Sequence, residues 1–177
     1  IPLYANQAIL DGVFNETILV YRYGIAGIVY AIYLLLRRMN MRLTRREVKE
    51  VTLAGVGGYG ITAFFLMWSY HYMPTGVATA IHFFYPVVVA LLMAIFYKER
   101  LPLEVKAGIV LAICGVYLLS WTPGEVKWLG LFFVLMSTVT YGCYITALNR
   151  PVLKRMNPDV LTCYVLLFTA LFYLILA

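Results

Sequence analysis

The sequence is a succession of apolar runs, each bounded by a short patch of Arg, Lys, Asp or Glu. The runs are about 20 residues long, and a helix of that length spans the roughly 30 Å hydrocarbon core of a bilayer. Of 177 residues, 63% are hydrophobic and 12% charged, with a mean hydropathy of +0.86. Soluble domains carry about 45–50% apolar and about 25% charged residues. A water-soluble globule is excluded, and with it a disordered chain, a nucleic-acid-binding protein and a secreted protein. The runs are continuously apolar rather than alternating, which argues against a transmembrane barrel. The fold class is therefore an all-α membrane protein, a polytopic helix bundle whose first partner is the lipid bilayer.

Charges, prolines and glycines predict seven helices: a partial α1 at Ile1–Leu10, α2 at Thr17–Leu36, α3 at Val51–Tyr72, α4 at Thr75–Tyr97, α5 at Leu103–Trp121, α6 at Trp128–Leu148 and α7 from Pro158 onward. Short connections lead us to expect each helix to pack antiparallel to the next, in one bundle. Arg37, Arg38, Arg42, Arg45, Arg46 and Lys49 crowd the loop between α2 and α3, which the positive-inside rule places in the cytoplasm. Alternation then makes loops 37–50, 98–104 and 149–157 cytoplasmic, in the plasma membrane of a bacterium or archaeon. The outer turns hold Asp11 and Glu16, Met73 and Pro74, and Glu125 facing Lys127. The net charge of +6 thus reads as topology. Cys114, Cys143 and Cys163 lie inside apolar runs, too far apart for a metal motif, and read as small buried hydrophobes. Because the chain opens with Ile1 and closes inside an apolar run, the expectation is a fragment of a longer protein.

A displacement of 143 residues aligns Glu16-Thr-Ile18 with Asp159-Val-Leu161 and Tyr21 with Tyr164. The loops around the two copies carry opposite charge. Five helices per unit, an odd number, turn the second copy upside down, which is the inverted-repeat layout of many secondary transporters. The expected division is 1–122 for the first repeat and 126–177 for the start of the second.

Five stretches from α3 to α5 then bear on family: Trp68-Ser-Tyr-His-Tyr72, Pro74-Thr-Gly76-Val-Ala78-Thr-Ala80, Pro86, Lys98-Glu99-Arg100-Leu101 and Gly108-Ile-Val-Leu-Ala-Ile-Cys-Gly115-Val116. In this order and spacing the chain resembles the drug/metabolite transporter superfamily, in particular its EamA-like branch. The resemblance implies ten helices in two repeats, of which helices 8 to 10 would lie beyond this chain. It also implies a central cavity lined by helices 1 to 4 and 6 to 9, with helices 5 and 10 peripheral, and small cargo such as amino acids and other metabolites. Export is implied by the resemblance alone.

The residues themselves offer candidates for such a cavity. Thr75, Thr79, His82 and Pro86 share one face of α4, and a polar stripe in a membrane helix faces protein or water. His82, about 10 Å below the outer surface, either forms a cavity wall or bonds to a neighbouring helix. Arg22, roughly 8 Å into α2, either reaches the outer interface or Glu16, or points into the cavity toward a substrate carboxylate. Trp68 and Tyr85, with Tyr141 and Tyr144 on α6, surround a flat or cationic solute or simply pack. Ser137 shares the face of Tyr141 and Tyr144, and Asn6 and Gln7 supply polar groups on α1. His71, Tyr70 and Tyr72 suit an interfacial aromatic belt. The small residues Gly76, Ala78 and Ala80 on α4, the four glycines between Gly55 and Gly60, and Gly108, Ala112 and Gly115 on α5 are expected to support close helix packing.

Every acidic residue falls at a helix end or in a loop, so no carboxylate is expected at mid-membrane to carry protons. No cofactor, metal site or catalytic grouping is expected, which leaves a membrane enzyme acting on lipid-linked substrates without support. The leading expectation is a secondary transporter for a small molecule. A non-transporting scaffold or assembly subunit is the alternative, and an all-apolar bundle centre would favour it. Whether two chains pair is open.

Overall fold

A computed structural model describes residues 7, 12–98, 102–120 and 127–177. The predicted α1, apart from Gln7, and the turns holding Asp11, Glu99, Arg100 and Glu125 lie outside the described residues. The helices run α2 Asn15–Leu36, α3 Arg45–Ser69, α4 Thr75–Phe96, α5 Leu103–Ser120, α6 Trp128–Ala147 and α7 Pro158–Leu176, with no strand among the described residues. Five of them, α2, α3, α4, α6 and α7, are long and apolar enough to cross a membrane. The protein is a polytopic helical membrane protein.

Local chemistry explains where the helices depart from expectation. Helix α3 begins at Arg45 rather than Val51 because Thr44 and Glu47 form a capping box. The Glu47 carboxylate accepts from Thr44 N–H at 2.7 Å, and Thr44 Oγ1 accepts from Glu47 N–H at 3.3 Å. Arg45, Arg46 and Lys49 are therefore helical. The loop between α6 and α7 contains one helical turn, Pro151–Lys154, and Asn157 caps α7 by accepting from Asp159 N–H at 2.9 Å. Between Leu53 and Gly60, α3 opens into a π-helix. Helix α4 is interrupted at Phe83–Phe84, and its second half, Tyr85–Phe96, carries Pro86 in the first turn, where a missing N–H does least harm.

The tightest packing joins helices distant in sequence, not the successive hairpins expected. Helix α2 lies antiparallel along α7. Leu19 and Tyr23 meet Ala170 and Tyr173 at one end, and Leu34 meets Val160 and Cys163 at the other. Helices α3 and α4 both pack on α6, and α3 also packs on α7. Lipid is as apolar as a leucine side chain, so helices associate where their backbones can approach closely. Glycines mark those places. A Cβ on Gly27 would lie 2.8 Å from the Leu167 side chain, one on Gly58 2.8 Å from Tyr144 Cβ, and one on Gly142 2.7 Å from Val88 Cγ1. By contrast Gly76, Gly108 and Gly115, expected to serve close packing, meet nothing within 4 Å, and of the α4 small residues only Ala78 is fully buried. The main neighbour of α5 is the Tyr85–Phe96 half of α4.

Polar bonds gather the basic loops at one end of the bundle. Arg150 Nη1 donates to Glu50 Oε2 at 2.8 Å, the Tyr164 hydroxyl to the Met41 carbonyl at 2.7 Å, and the Tyr30 hydroxyl to Asp159 Oδ1 at 2.9 Å. At the opposite end Lys127 N–H donates to the Tyr72 carbonyl at 3.2 Å. Because Gly58 abuts the root of Tyr144, where little can yield, Gly58→Ala should destabilise the full-length protein by about 1–3 kcal/mol. Gly76→Ala should stay within about 0.5 kcal/mol of the parent. Thermal unfolding in detergent reads both, and equal midpoints would remove the close-approach account of this contact.

Candidate functional site

A cavity of about 290 Å³ opens between α2, α3, α4 and α6. Helix α2 contributes Arg22 and Tyr23; α3 gives Tyr59, Thr62, Ala63, Leu66 and Met67, with Tyr70 just beyond its end. Thr79, His82 and the adjoining Phe83 come from α4, and Tyr141 from α6. Among the described residues its lining holds hydroxyls, one imidazole, one guanidinium and no carboxylate. That set can bond neutral polar groups and a carboxylate, and its ring faces can accept a cation.

The backbone of α4 places two of these groups. Thr79 and His82 are three residues apart on one face. The Thr79 hydroxyl donates back to the Thr75 carbonyl at 2.6 Å, which spares it an unsatisfied position in the helix. His82 Nδ1 is hydrogen-bonded to Ser137 Oγ at 2.9 Å, so His82 is both tied to α6 and part of the cavity wall. Of the two arrangements the sequence left open for this residue, the structure combines both.

The π segment of α3 places Tyr59. In a π turn the hydrogen-bond register shifts by one residue. Here three carbonyls are met by hydroxyls. Thr62 Oγ1 donates to Gly58 O at 2.8 Å, Thr169 Oγ1 to Gly55 O at 3.2 Å, and the Tyr173 hydroxyl to Gly60 O at 2.5 Å. Thr62 also pairs with Thr140 at 2.8 Å across to α6. Tyr59 then stands at the centre of an aromatic series, with ring centroids 5.4 Å from Tyr23, 5.4 Å from Tyr144 and 6.3 Å from Tyr141. Tyr141 continues it to Tyr85 at 4.6 Å, edge-on, and to His82 at 5.4 Å.

Of the residues singled out from the sequence, Arg22, Thr79, His82 and Tyr141 line this cavity together. The Arg22 guanidinium lies over the Tyr23 ring, 5.4 Å from its centroid, and makes no ion pair with Glu16. Tyr85 stands behind Tyr141. Tyr144 lines a second cavity of about 200 Å³ toward Glu50 and Arg150. Trp68 is elsewhere: it packs with Phe64, His71 and Phe133, and its buried indole N–H meets no acceptor among the described residues. Gln7 is exposed, and Asn6 lies outside the described residues. Sequence reasoning missed Tyr23, Tyr59 and Thr62. A signal existed for Tyr23, which opens the stripe Tyr23, Gly27, Tyr30, Leu34 along the α2 face that meets α7.

Comparison with known proteins follows the same direction. The profile of the EamA-like transporter family matches residues 5–121. An uncharacterized transporter of Archaeoglobus fulgidus is 30% identical over 141 residues, which is 80% of this chain and 49% of the relative. A probable terminal-alkyne amino-acid exporter of Streptantibioticus cattleyicolor is 28% identical over 120 residues, 67% of this chain and 40% of the relative. The chain thus spans half or less of the length of these relatives. No solved structure matches.

A cavity lined by Arg22, Thr79 and His82 should hold water. In a full-length protein otherwise free of cysteine, Thr79→Cys should react with a small water-soluble methanethiosulfonate at least about tenfold faster than Val134→Cys, because thiolate forms only where water reaches it. Val134 is fully buried. Equal rates at the two positions would dismiss a wet cavity.

Proposed function

The chain belongs to the EamA-like transporter family, and on that premise we propose that the protein is a secondary transporter exporting a small metabolite or amino acid by alternating access. The observation that carries the reading is the cavity itself: Arg22, Thr79, His82 and Tyr141, drawn from three helices, converge on one polar space inside an apolar bundle. Such groups are costly in hydrocarbon and persist where they meet water or a ligand. A scaffold has no use for them. In this reading Arg22 takes a carboxylate, while Thr79 and His82 bond the polar part of the solute. Tyr59 and Tyr141 offer ring faces to its apolar or cationic part, and Tyr85 and Tyr144 support them. The relative named as a terminal-alkyne amino-acid exporter favours an amino acid among the small metabolites.

The inverted repeat belongs to the same proposal, with 1–122 as one unit and 126–177 as the start of its inverted copy. Under this division α2 and α7 are equivalents, and they lie antiparallel against each other. The displacement that carries Glu16 to Asp159 also carries Tyr30 to Tyr173. Tyr30 bonds Asp159 at 2.9 Å, whereas the Tyr173 hydroxyl donates to the Gly60 carbonyl. The basic end, with Arg37 to Lys49 and Arg150 to Arg155, faces the cytoplasm of a plasma membrane in this reading.

Counterflow into proteoliposomes of the full-length protein tests the proposal with radiolabelled amino acids, including aromatic and terminal-alkyne ones. At least one should enter saturably. His82→Ala and Arg22→Ala should each lower its kcat/KM by about tenfold or more, the worth of one hydrogen bond to a charged group, with expression retained. Failure to move any amino acid or organic cation under any gradient overturns the assignment.

A further inference from the structure

The second cavity, at the basic end, has no role in the reading above. It is a groove in two adjoining parts, about 200 Å³ against α3 and about 410 Å³ against α4, and Cys143, Ala147 and Arg150 line both. The Gly58–Tyr144 contact and the rings of Tyr59, Tyr141 and Tyr144 separate it from the Arg22 and His82 cavity. Tyr59 and Tyr141 line one side of this septum, Gly58 and Tyr144 the other.

Opposite charges stand at the mouth of the groove. Glu50, on α3, and Arg150, just before the helical turn after α6, are joined at 2.8 Å and both border the part against α3. The pair is held loosely, since the two side chains are 29% and 48% exposed and water screens their attraction. A molecule bearing both an ammonium and a carboxylate on one carbon can replace each partner for the other without leaving either charge unpaired. A simple anion or a simple cation satisfies one and strands the other. Beyond the pair the walls are apolar and aromatic: Leu92, Phe96, Tyr97 and Tyr144.

We propose that this groove is a reception site for a zwitterionic α-amino acid with an apolar side chain, its carboxylate on Arg150, its ammonium on Glu50 and its side chain against Phe96, Tyr97 and Tyr144. The site rests on the transport reading, as the place a solute occupies before it passes the tyrosine septum, yet its occupancy is measured without transport. Cys143 is an exposed native thiol on the groove wall, whereas Cys163 is buried.

Alkylation of Cys143 by N-ethylmaleimide supplies the test, in the full-length protein with Cys143 as its only cysteine. At ten times its dissociation constant, L-phenylalanine should slow alkylation about tenfold. The same concentrations of 3-phenylpropionate, which lacks the ammonium, or of phenethylamine, which lacks the carboxylate, should not. Arg150→Gln and Glu50→Gln should abolish protection, Arg150→Lys should keep it, and His82→Ala, in the other cavity, should leave it intact. Protection by 3-phenylpropionate as strong as by L-phenylalanine overturns the zwitterion site, and so does protection that survives Arg150→Gln. Loss of protection in His82→Ala overturns it too, by placing the bound molecule in the other cavity. If no amino acid is transported but protection persists with this pattern, the transport reading falls and the site stands. If transport is observed and Cys143 is never protected, the site falls alone.

Discussion

No water is available inside a bilayer to bond a backbone carbonyl, and the centre of this bundle is arranged around that constraint. A regular α-helix satisfies its own groups in one register; in the π segment Leu53–Gly60 of α3 that register shifts, and Ile61 N–H is shared between the Val56 and Gly58 carbonyls. The carbonyls of Gly55, Gly58 and Gly60 also accept from the hydroxyls of Thr169, Thr62 and Tyr173. Two of these donors come from α7, which ties the irregular part of α3 to that helix. The widened turn in exchange puts Tyr59 on the wall of one cavity and Gly57 and Gly58 on the wall of the other.

The same solvent decides how the helices find one another. In water an apolar stripe would select its partner by burial, but in lipid every apolar face is equally content, and contact is gained where backbones come close. Gly27 against Leu167, Gly58 against Tyr144 and Gly142 against Val88 are such places, and each joins helices far apart in sequence. Helix α5 shows the converse. Gly108 and Gly115 open onto nothing, and the helix rests at the edge of the bundle. Short loops fix the alternating sense of the helices, while the glycines fix which of them touch.

This division explains what was legible beforehand. The runs that became α2, α4, α6 and α7 were readable because a bilayer admits little besides a long apolar helix. The start of α3 was misplaced because Arg45, Arg46 and Lys49 look like a loop, although Thr44 and Glu47 had the spacing of a capping box. Thr79, His82 and Arg22 were readable as polar groups at helical spacing or depth in an apolar run. Tyr59 was not, since its partners Tyr23, Tyr141 and Tyr144 belong to other helices. Trp68 reads as a cavity candidate only through its joint placement with Tyr85, Tyr141 and Tyr144, and packing explains it equally. The π turns upstream rotate the outer part of α3 relative to an ordinary helix, so a face counted through Leu53–Gly60 at 3.6 residues per turn ends on the wrong side. Four closely spaced glycines announced close packing without announcing the change of register.

The energies at the centre of the bundle bear on the proposed movement of a solute. Between the two cavities, beside the close contact of Gly58 with the root of Tyr144, stand ring contacts from Tyr59 to Tyr141 and Tyr144, at 6.3 and 5.4 Å, with Tyr141 and Tyr144 themselves 5.7 Å apart. Each such aromatic pair is worth about 0.5–1.5 kcal/mol beyond the area it buries, so parting Tyr59 from its two neighbours costs about 1–3 kcal/mol. A small molecule bound with a millimolar dissociation constant releases about 4 kcal/mol at standard concentration. Opening the septum is therefore on the scale of what solute binding supplies. Breaking the glycine contacts would mean separating whole helix faces. The irregular backbone lies close to the weak layer, with the π turns of α3 on one side and the interruption of α4 at Phe83–Phe84, next to His82 and Tyr85, on the other. In the proposed transport, the helix faces joined at glycines, the root of Tyr144 included, stay together while the tyrosine rings give way between the two cavities.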